Sequence, residues 1–233
     1  MRLRFLSLTV LGALLPLAAQ QWRPLLNGKN LDGWEVIGDG VWLTMTDGTL
    51  IAARKPARDA PAPGADTLAR RQYTGWRDQQ SWLYTTRNDF DEFDLHLSFW
   101  IRPHGNSGIS IRDGSRAKYG VTIPPDYTKT PSKIGYEIQI NNDYPDPHPT
   151  GSIYGFMDAK TGAQKNNEWN TLDIESRRDI IRVKLNGAVV AEHAGDPARS
   201  KTGPIGLQLH DQFSVILFRD IRIRELTKRA ALN

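Results

Sequence analysis

The 233-residue chain contains no cysteine. Disulfide staples, thiolate metal sites, a cysteine nucleophile and a lipid-anchoring cysteine are therefore all excluded. It also lacks any sustained helical period after residue 22, and it has no charge run. Thirty Lys and Arg stand against twenty-six Asp and Glu, a formal net charge of +4 to which Arg2 and Arg4 contribute. The bases are interspersed with acids rather than gathered in a stripe, which argues against nucleic acid as a partner. A long apolar run is missing too, with one exception at the N-terminus. There Arg2 and Arg4 precede an apolar stretch from Phe5 to Ala19, broken only by Ser7, Thr9, Gly12 and Pro16. That stretch is short for a membrane span of about 20 residues. It reads as a signal peptide over residues 1–19, with Leu17-Ala18-Ala19 ending in a small residue at the cleavage site. The expectation is a bacterial protein, periplasmic or secreted, that does not span the membrane after processing; an uncleaved N-terminal anchor is the alternative.

What is present is period-two alternation, bounded by Gly, Asn, Asp and Pro. Phe93, Leu95, Leu97, Phe99 and Ile101 alternate with Asp94, His96, Ser98, Trp100 and Arg102. Ile109 and Ile111 alternate with Ser110 and Arg112; Tyr136, Ile138 and Ile140 with Glu137, Gln139 and Asn141; Leu207 and Leu209 with Gln208 and His210. Ile181, Val183 and Leu185 run into Asn186-Gly187, the dipeptide preferred where both central residues of a hairpin turn need positive φ. Many short strands without covering helices must bury their apolar faces against a second sheet. The sequence predicts one all-β domain over residues 22–228, a β-sandwich of the jelly-roll kind. Two stretches lapse from the pattern, Arg54–Gln80 and Arg116–Lys133. They read as long loops, either functional rims or tolerated insertions.

The polar phase of these strands carries the chemistry. Ser110, Arg112, Glu137, Gln139, Asn141, Gln208 and His210 are predicted to share one sheet face. An arginine, a carboxylate, amides and an imidazole with little bulk between them suit the hydroxyls of a carbohydrate. Each residue alone would be an ordinary surface group; their common phase is the signal. Only one carboxylate falls in phase on its strand, whereas retaining glycosidases need two about 5–5.5 Å apart. Trp34, Trp42 and Trp169 read as core or edge aromatics, and His148, in a proline-rich loop, as exposed.

Five blocks in order, Leu26-Asn27-Gly28-Lys29-Asn30-Leu31-Asp32-Gly33-Trp34, Asn106-Ser107-Gly108-Ile109 with Arg112, Tyr136-Glu137-Ile138-Gln139-Ile140, Glu168-Trp169-Asn170 and Gly206-Leu207-Gln208-Leu209-His210, resemble the 3-keto-disaccharide hydrolase domain family from about Trp22 to Leu226. The resemblance implies a concanavalin A-like, laminin-G-like sandwich. It also implies an exported enzyme acting on 3-keto-glycosides, which a sugar 3-dehydrogenase supplies. A C3 ketone acidifies the C2 hydrogen, so a base can form an enolate and the C1 substituent leaves by β-elimination, with rehydration giving net hydrolysis. Glu137 is the expected base, and Arg112, with or without a divalent metal cation, the stabiliser of the enolate. His210 is expected as proton donor or metal ligand; Gln139, Gln208, Ser110, Asn141 and Tyr154 as substrate-binding. Ser98 stands where many relatives carry an acid, and the Arg54–Gln80 loop is unusually basic. The alternative reading is a non-catalytic, lectin-like carbohydrate-binding module.

Overall fold

The computed structural model describes residues 21–54 and 80–226. The predicted leader, and almost all of the Arg54–Gln80 loop, lie outside the described residues. Within them are thirteen strands and one single-turn helix: β1 (Arg23–Pro24), β2 (Trp34–Ile37), β3 (Val41–Thr44), β4 (Leu50–Ala53), β5 (Ser81–Thr85), β6 (Phe93–Ile101), β7 (Gly105–Ile111), α1 (Pro131–Ile134), β8 (Tyr136–Asn142), β9 (Asn170–Ser176), β10 (Ile181–Leu185), β11 (Ala188–His193), β12 (Ile205–Leu209) and β13 (Ile216–Glu225). They form two antiparallel sheets. The larger runs β11-β10-β9-β6-β13-β4-β3, with β1 added on β13; the smaller runs β2-β5-β12-β7-β8. The all-β sandwich expected from the alternation is the fold.

Period two decides which side chains enter the core. From the large sheet, Leu95, Leu97, Phe99, Leu172, Ile174, Val183, Phe218 and Ile223 are buried; from the small sheet, Ile109, Ile111, Ile138, Ile140, Leu207 and Leu209. All belong to one apolar cluster that also takes in Trp34 and Trp42. The predicted hairpin joins β10 to β11, with Asn186 at φ 51° and Gly187 at φ 83°. Asn186 does more than turn: its Oδ1 accepts from Thr171 N and its Nδ2 donates to Ala163 O.

A second layer covers part of the small sheet's outer face. Trp82 and Tyr84 point away from the core and are buried against Ala117, with Ile37 and Val121 packed beside them. The chain between β7 and β8 makes this cover, and Asp113 folds it: Oδ1 accepts from Ser115 N and Oγ, and Oδ2 from Ala117 N and the Tyr84 hydroxyl. The predicted Arg116–Lys133 loop therefore roofs the β5 side of the sheet and leaves the β7–β8 side recessed beneath its rim.

Candidate active site

Two glycines make room for large side chains on the outer face of the small sheet. Across the small sheet, Tyr84, Gly206, Ser110 and Glu137 lie in one row. In the next, Gln208 is opposite Trp82 and Gly108 opposite Gln139. A Cβ on Gly108 would stand 2.7 Å from Glu137 Oε1, and one on Gly206 2.6 Å from the Tyr84 ring. With no side chain there, the Glu137 carboxylate lies flat over β7 and accepts a 2.8 Å hydrogen bond from Gln208 Nε2.

Above it opens a cleft of about 370 Å³. Its floor is Asn106, Glu137 and Gln139; one wall is Tyr144, Asp146, Tyr154 and His210; the other, from the roofing segment and α1, is Tyr127, Thr130, Ser132 and Lys133. Glu137 is only 5% exposed. Burial pushes its carboxyl up from the ordinary 4.5 to about 7, against the downward pull of His210 and the Gln208 hydrogen bond, with Asp146 and Asp113 adding upward pressure. A carboxyl that titrates near neutrality can both take and return a proton. Tyr154 donates to Asp146 Oδ2 at 3.0 Å, and burial followed by that carboxylate pushes its phenol well above the usual range, so it stays protonated.

Unused hydrogen-bonding capacity surrounds the carboxylate. Gln139 Nε2, Asn106 Oδ1 and Gln208 Oε1 are buried without a protein partner. Buried polar atoms are rarely left so, because each costs about 1–3 kcal/mol. Of the three, Asn106 and Gln139 line the cleft, and an acceptor and a donor there beside one carboxylate suit a hydroxylated ligand.

Of the residues predicted from phase, Glu137, Gln139, Gln208 and His210 come together, and Tyr154 joins them from its loop. Ser110 shares the Glu137 row, but its side chain is fully buried beside Tyr84, its hydroxyl has no hydrogen-bond partner, and it does not line the cleft. Asn141 has the expected phase and another task. Its Nδ2 faces the carbonyls of Tyr144, Asp146 and His148, each of which precedes a proline. Three prolines deprive that loop of donors, and Asn141 supplies them, fixing the wall that carries Asp146.

Arg112 departs from the expected face. The β7–β8 pairing ends at Ile111, and Arg112 takes a left-handed φ of 61°, which breaks the alternation. Its guanidinium, 1% exposed, donates to Arg177 O at 2.6 Å and sits 5.9 Å from the Tyr136 ring centre. It is an interior arginine, and no part of it lines the cleft. His148, expected exposed, is partly buried, pairing with Asp158 Oδ1 at 2.5 Å and packing on Tyr154 at 4.3 Å. Trp169 is half-buried beneath Arg219. Sequence reasoning missed Asn106, Tyr144, Asp146 and Lys133. Asn106 was legible, being in phase with Gly108 and Ser110; the others reach the cleft only through loop paths.

Among the described residues, no three His, Asp or Glu side chains converge as metal ligands. The cleft's described residues thus offer no three-ligand set for the divalent cation considered above. Nor, among the described residues, is any helix long and apolar enough to cross a membrane.

Comparison with known proteins places this geometry in context. The profile of the 3-keto-alpha-glucoside-1,2-lyase-like domain matches residues 21–224. No curated protein matches the chain. A solved structure from Parabacteroides distasonis ATCC 8503, provisionally designated a glycosyl hydrolase, is 26% identical over 88% of this chain and 100% of its own, with a TM-score of 0.62. A Bacillus subtilis protein of unknown function with a galectin-like fold is 12% identical, covering 90% of this chain and 96% of its own at a TM-score of 0.56. The carbohydrate-binding module CBM66 from Bacillus subtilis is 14% identical, covering 83% and 96% at 0.52. The last two show likeness of fold.

Proposed function

The chain belongs to the 3-keto-alpha-glucoside-1,2-lyase-like family, and on that premise we propose that it cleaves 3-keto-glycosides by C2 proton abstraction and β-elimination, with Glu137 as the base. The observation that carries this reading is the Glu137 carboxyl: buried, held over Gly108, poised at about 7 and facing an open polar cleft. Glu137 takes the C2 proton. The electrons of the C2–H bond form the enolate, with charge on the C3 oxygen. They then return to make the C1–C2 double bond as the C1–O bond breaks and the leaving oxygen takes a proton. The products are a conjugated enone and an alcohol; addition of water, hydroxyl to C1 and proton to C2, completes net hydrolysis.

The enolate needs a donor at the C3 oxygen. Arg112 is too far inside the sandwich for that task. Gln139 Nε2, buried on the cleft floor with no protein partner, takes its place in the scheme. Gln208 orients the base, and Tyr154 and Asn106 bind hydroxyls. The leader read over residues 1–19 fits a periplasmic or secreted enzyme, fed by a sugar 3-dehydrogenase.

Purified protein is incubated with a panel of 3-keto-glycosides, following enone absorbance, aglycone release and exchange of the C2 hydrogen in deuterium oxide. Glu137→Gln should lower turnover by roughly 10²–10⁴ while sugar binding survives. Efficient cleavage of the unoxidised glycoside, whose C2 hydrogen is not acidic, would overturn the scheme in favour of direct hydrolysis. Sugar binding with every 3-keto-glycoside left intact would instead identify a lectin-like module.

A further inference from the structure

One wall of the cleft is carried by α1, a helix of only four residues, through Thr130, Ser132 and Lys133. A single turn has no stability of its own, because fixing its backbone costs more than its few hydrogen bonds return. Thr130 stands at its N-cap without a side-chain cap bond, and its hydroxyl pairs with that of Ser132 instead, at 3.0 Å. At the other end the last carbonyls have no following turn to accept from. A residue far along the chain answers them: Arg199, in the connection between β11 and β12, donates from Nη1 to Ser132 O at 2.9 Å and to Gly135 O. An arginine at a helix C-terminus both satisfies the carbonyls and meets the negative end of the dipole.

The same guanidinium reaches the opposite wall and the floor. It lies over the Phe156 ring at 4.4 Å and the Tyr136 ring at 5.1 Å, and the two rings touch each other at 5.3 Å. Phe156 belongs to the tight turn that carries Tyr154, since Phe156 N donates to Ile153 O at 2.9 Å and Tyr154 N to Glu137 O at 2.8 Å. Tyr136 immediately precedes Glu137 on β8, and its hydroxyl accepts from Asp196 N at 2.6 Å, so the connection that bears Arg199 is itself fastened to the strand of the base. Asp196 Oδ2 faces Arg199 Nε at 3.7 Å. The arginine side chain is 15% exposed and is no part of the cleft lining. Glu137 itself is held from elsewhere, by Gln208 and over Gly108.

We infer that Arg199 is a positioning residue that sets the width of the cleft, by joining α1, the Tyr154 turn and Tyr136 behind it, and so governs how tightly a sugar is held rather than how fast Glu137 removes a proton. The inference rests on the reading of this cleft as the substrate site and adds to it a residue outside the cleft that fixes its shape. Without the guanidinium, α1 loses the donor to its last carbonyls and the rings lose the cation between the walls. The wall that carries Thr130, Ser132 and Lys133 is then free to move away from the wall that carries Tyr154.

Arg199→Met keeps an apolar stem over the two rings and removes the donors. On a 3-keto-glycoside it should raise KM by roughly tenfold, the scale of one lost hydrogen bond to a charged group, while kcat changes by less than about twofold. The unoxidised parent glycoside, whose binding needs no turnover, should show the same roughly tenfold loss of affinity by calorimetry. Amide hydrogen exchange should quicken at Lys133, Ile134 and Gly135, whose N–H groups bond within α1, and stay unchanged in β9. Arg199→Lys restores a charged donor without the planar stack; it should recover part of the affinity, and it keeps the comparison open where the methionine variant fails to fold. A fall in kcat with KM unchanged is what fewer folded molecules would give, and it would overturn the inference. Wild-type affinity alongside fast exchange in α1, or wild-type exchange in α1, would overturn it too. A wild type that binds the parent glycoside yet turns over no 3-keto-glycoside would overturn the elimination reading, while the affinities of the two variants would still decide the role of Arg199.

Discussion

The two sheets present outer faces with the same alternation and nearly the same residue types, and they treat charge in opposite ways. On the large sheet, Asp94 is gripped by Arg177 at 2.5 Å and by Arg224 at 2.5 Å. His96 lies between Asp173 at 2.6 Å and Asp220 at 3.5 Å. Glu175 pairs with Lys184 and Arg182, and its carboxyl is held below the usual range, chiefly by the Lys184 hydrogen bond. On the small sheet, Glu137 has an amide for a neighbour, a cleft above it and a raised pKa. One face spends its charges on each other. The other leaves a carboxyl and three amide atoms without full satisfaction, the condition under which a ligand is worth binding.

The contrast is open to experiment. Gly108→Ala should have the largest effect, because its Cβ would meet Glu137 Oε1 at 2.7 Å and displace the base; a misplacement of about 1 Å costs roughly 10²-fold in turnover. Wild-type kinetics in that variant would mean that the carboxyl need not lie over β7.

The next effect is on stability. A carboxyl raised from 4.5 to about 7 favours the folded state only where it is protonated. Its contribution is therefore fully present below pH 4.5 and is lost as pH rises through 7. The loss is on the order of 3 kcal/mol at 1.36 kcal/mol per unit. Glu137→Gln should accordingly melt several degrees above the wild type at pH 8, and the two curves should converge near pH 4. Coincident melting at pH 8 would show that the carboxyl is not desolvated.

On the opposite face the expectations reverse. Asp94→Asn removes the anion between two partly exposed arginines and should cost roughly 1–3 kcal/mol in denaturant unfolding, with turnover per folded molecule unchanged. Glu175→Gln should cost less than about 1 kcal/mol, since its partners are solvated. Loss of turnover in either variant would relocate function to the large sheet.

The strands, the hairpin at Asn186-Gly187 and the pairing of Glu137 with Gln139, Gln208 and His210 were legible because a strand has one local rule: neighbours alternate. The rule fails where the strand stops. Arg112 is followed by Asp113-Gly114, a turn dipeptide that marks the end of β7, and phase has no meaning past that point. Asn141 obeys the phase, and the demand on its amide from three proline-preceding carbonyls follows a loop path that the alternation does not describe.

Alternation and turn chemistry, which act between residues a few positions apart, determined by themselves that this chain makes a β-sandwich and that a carboxylate, amides and an imidazole share one outer face. The tertiary structure alone decided that this face rather than the other becomes a cleft. Nothing local distinguishes Glu137 from Glu175; a wall from a long connection and a bare glycine beneath it set one carboxyl in a buried cleft, while solvent and neighbouring cations keep the other an ordinary ion. Desolvation depends on what packs over a group, and that is fixed only when distant parts of the chain meet.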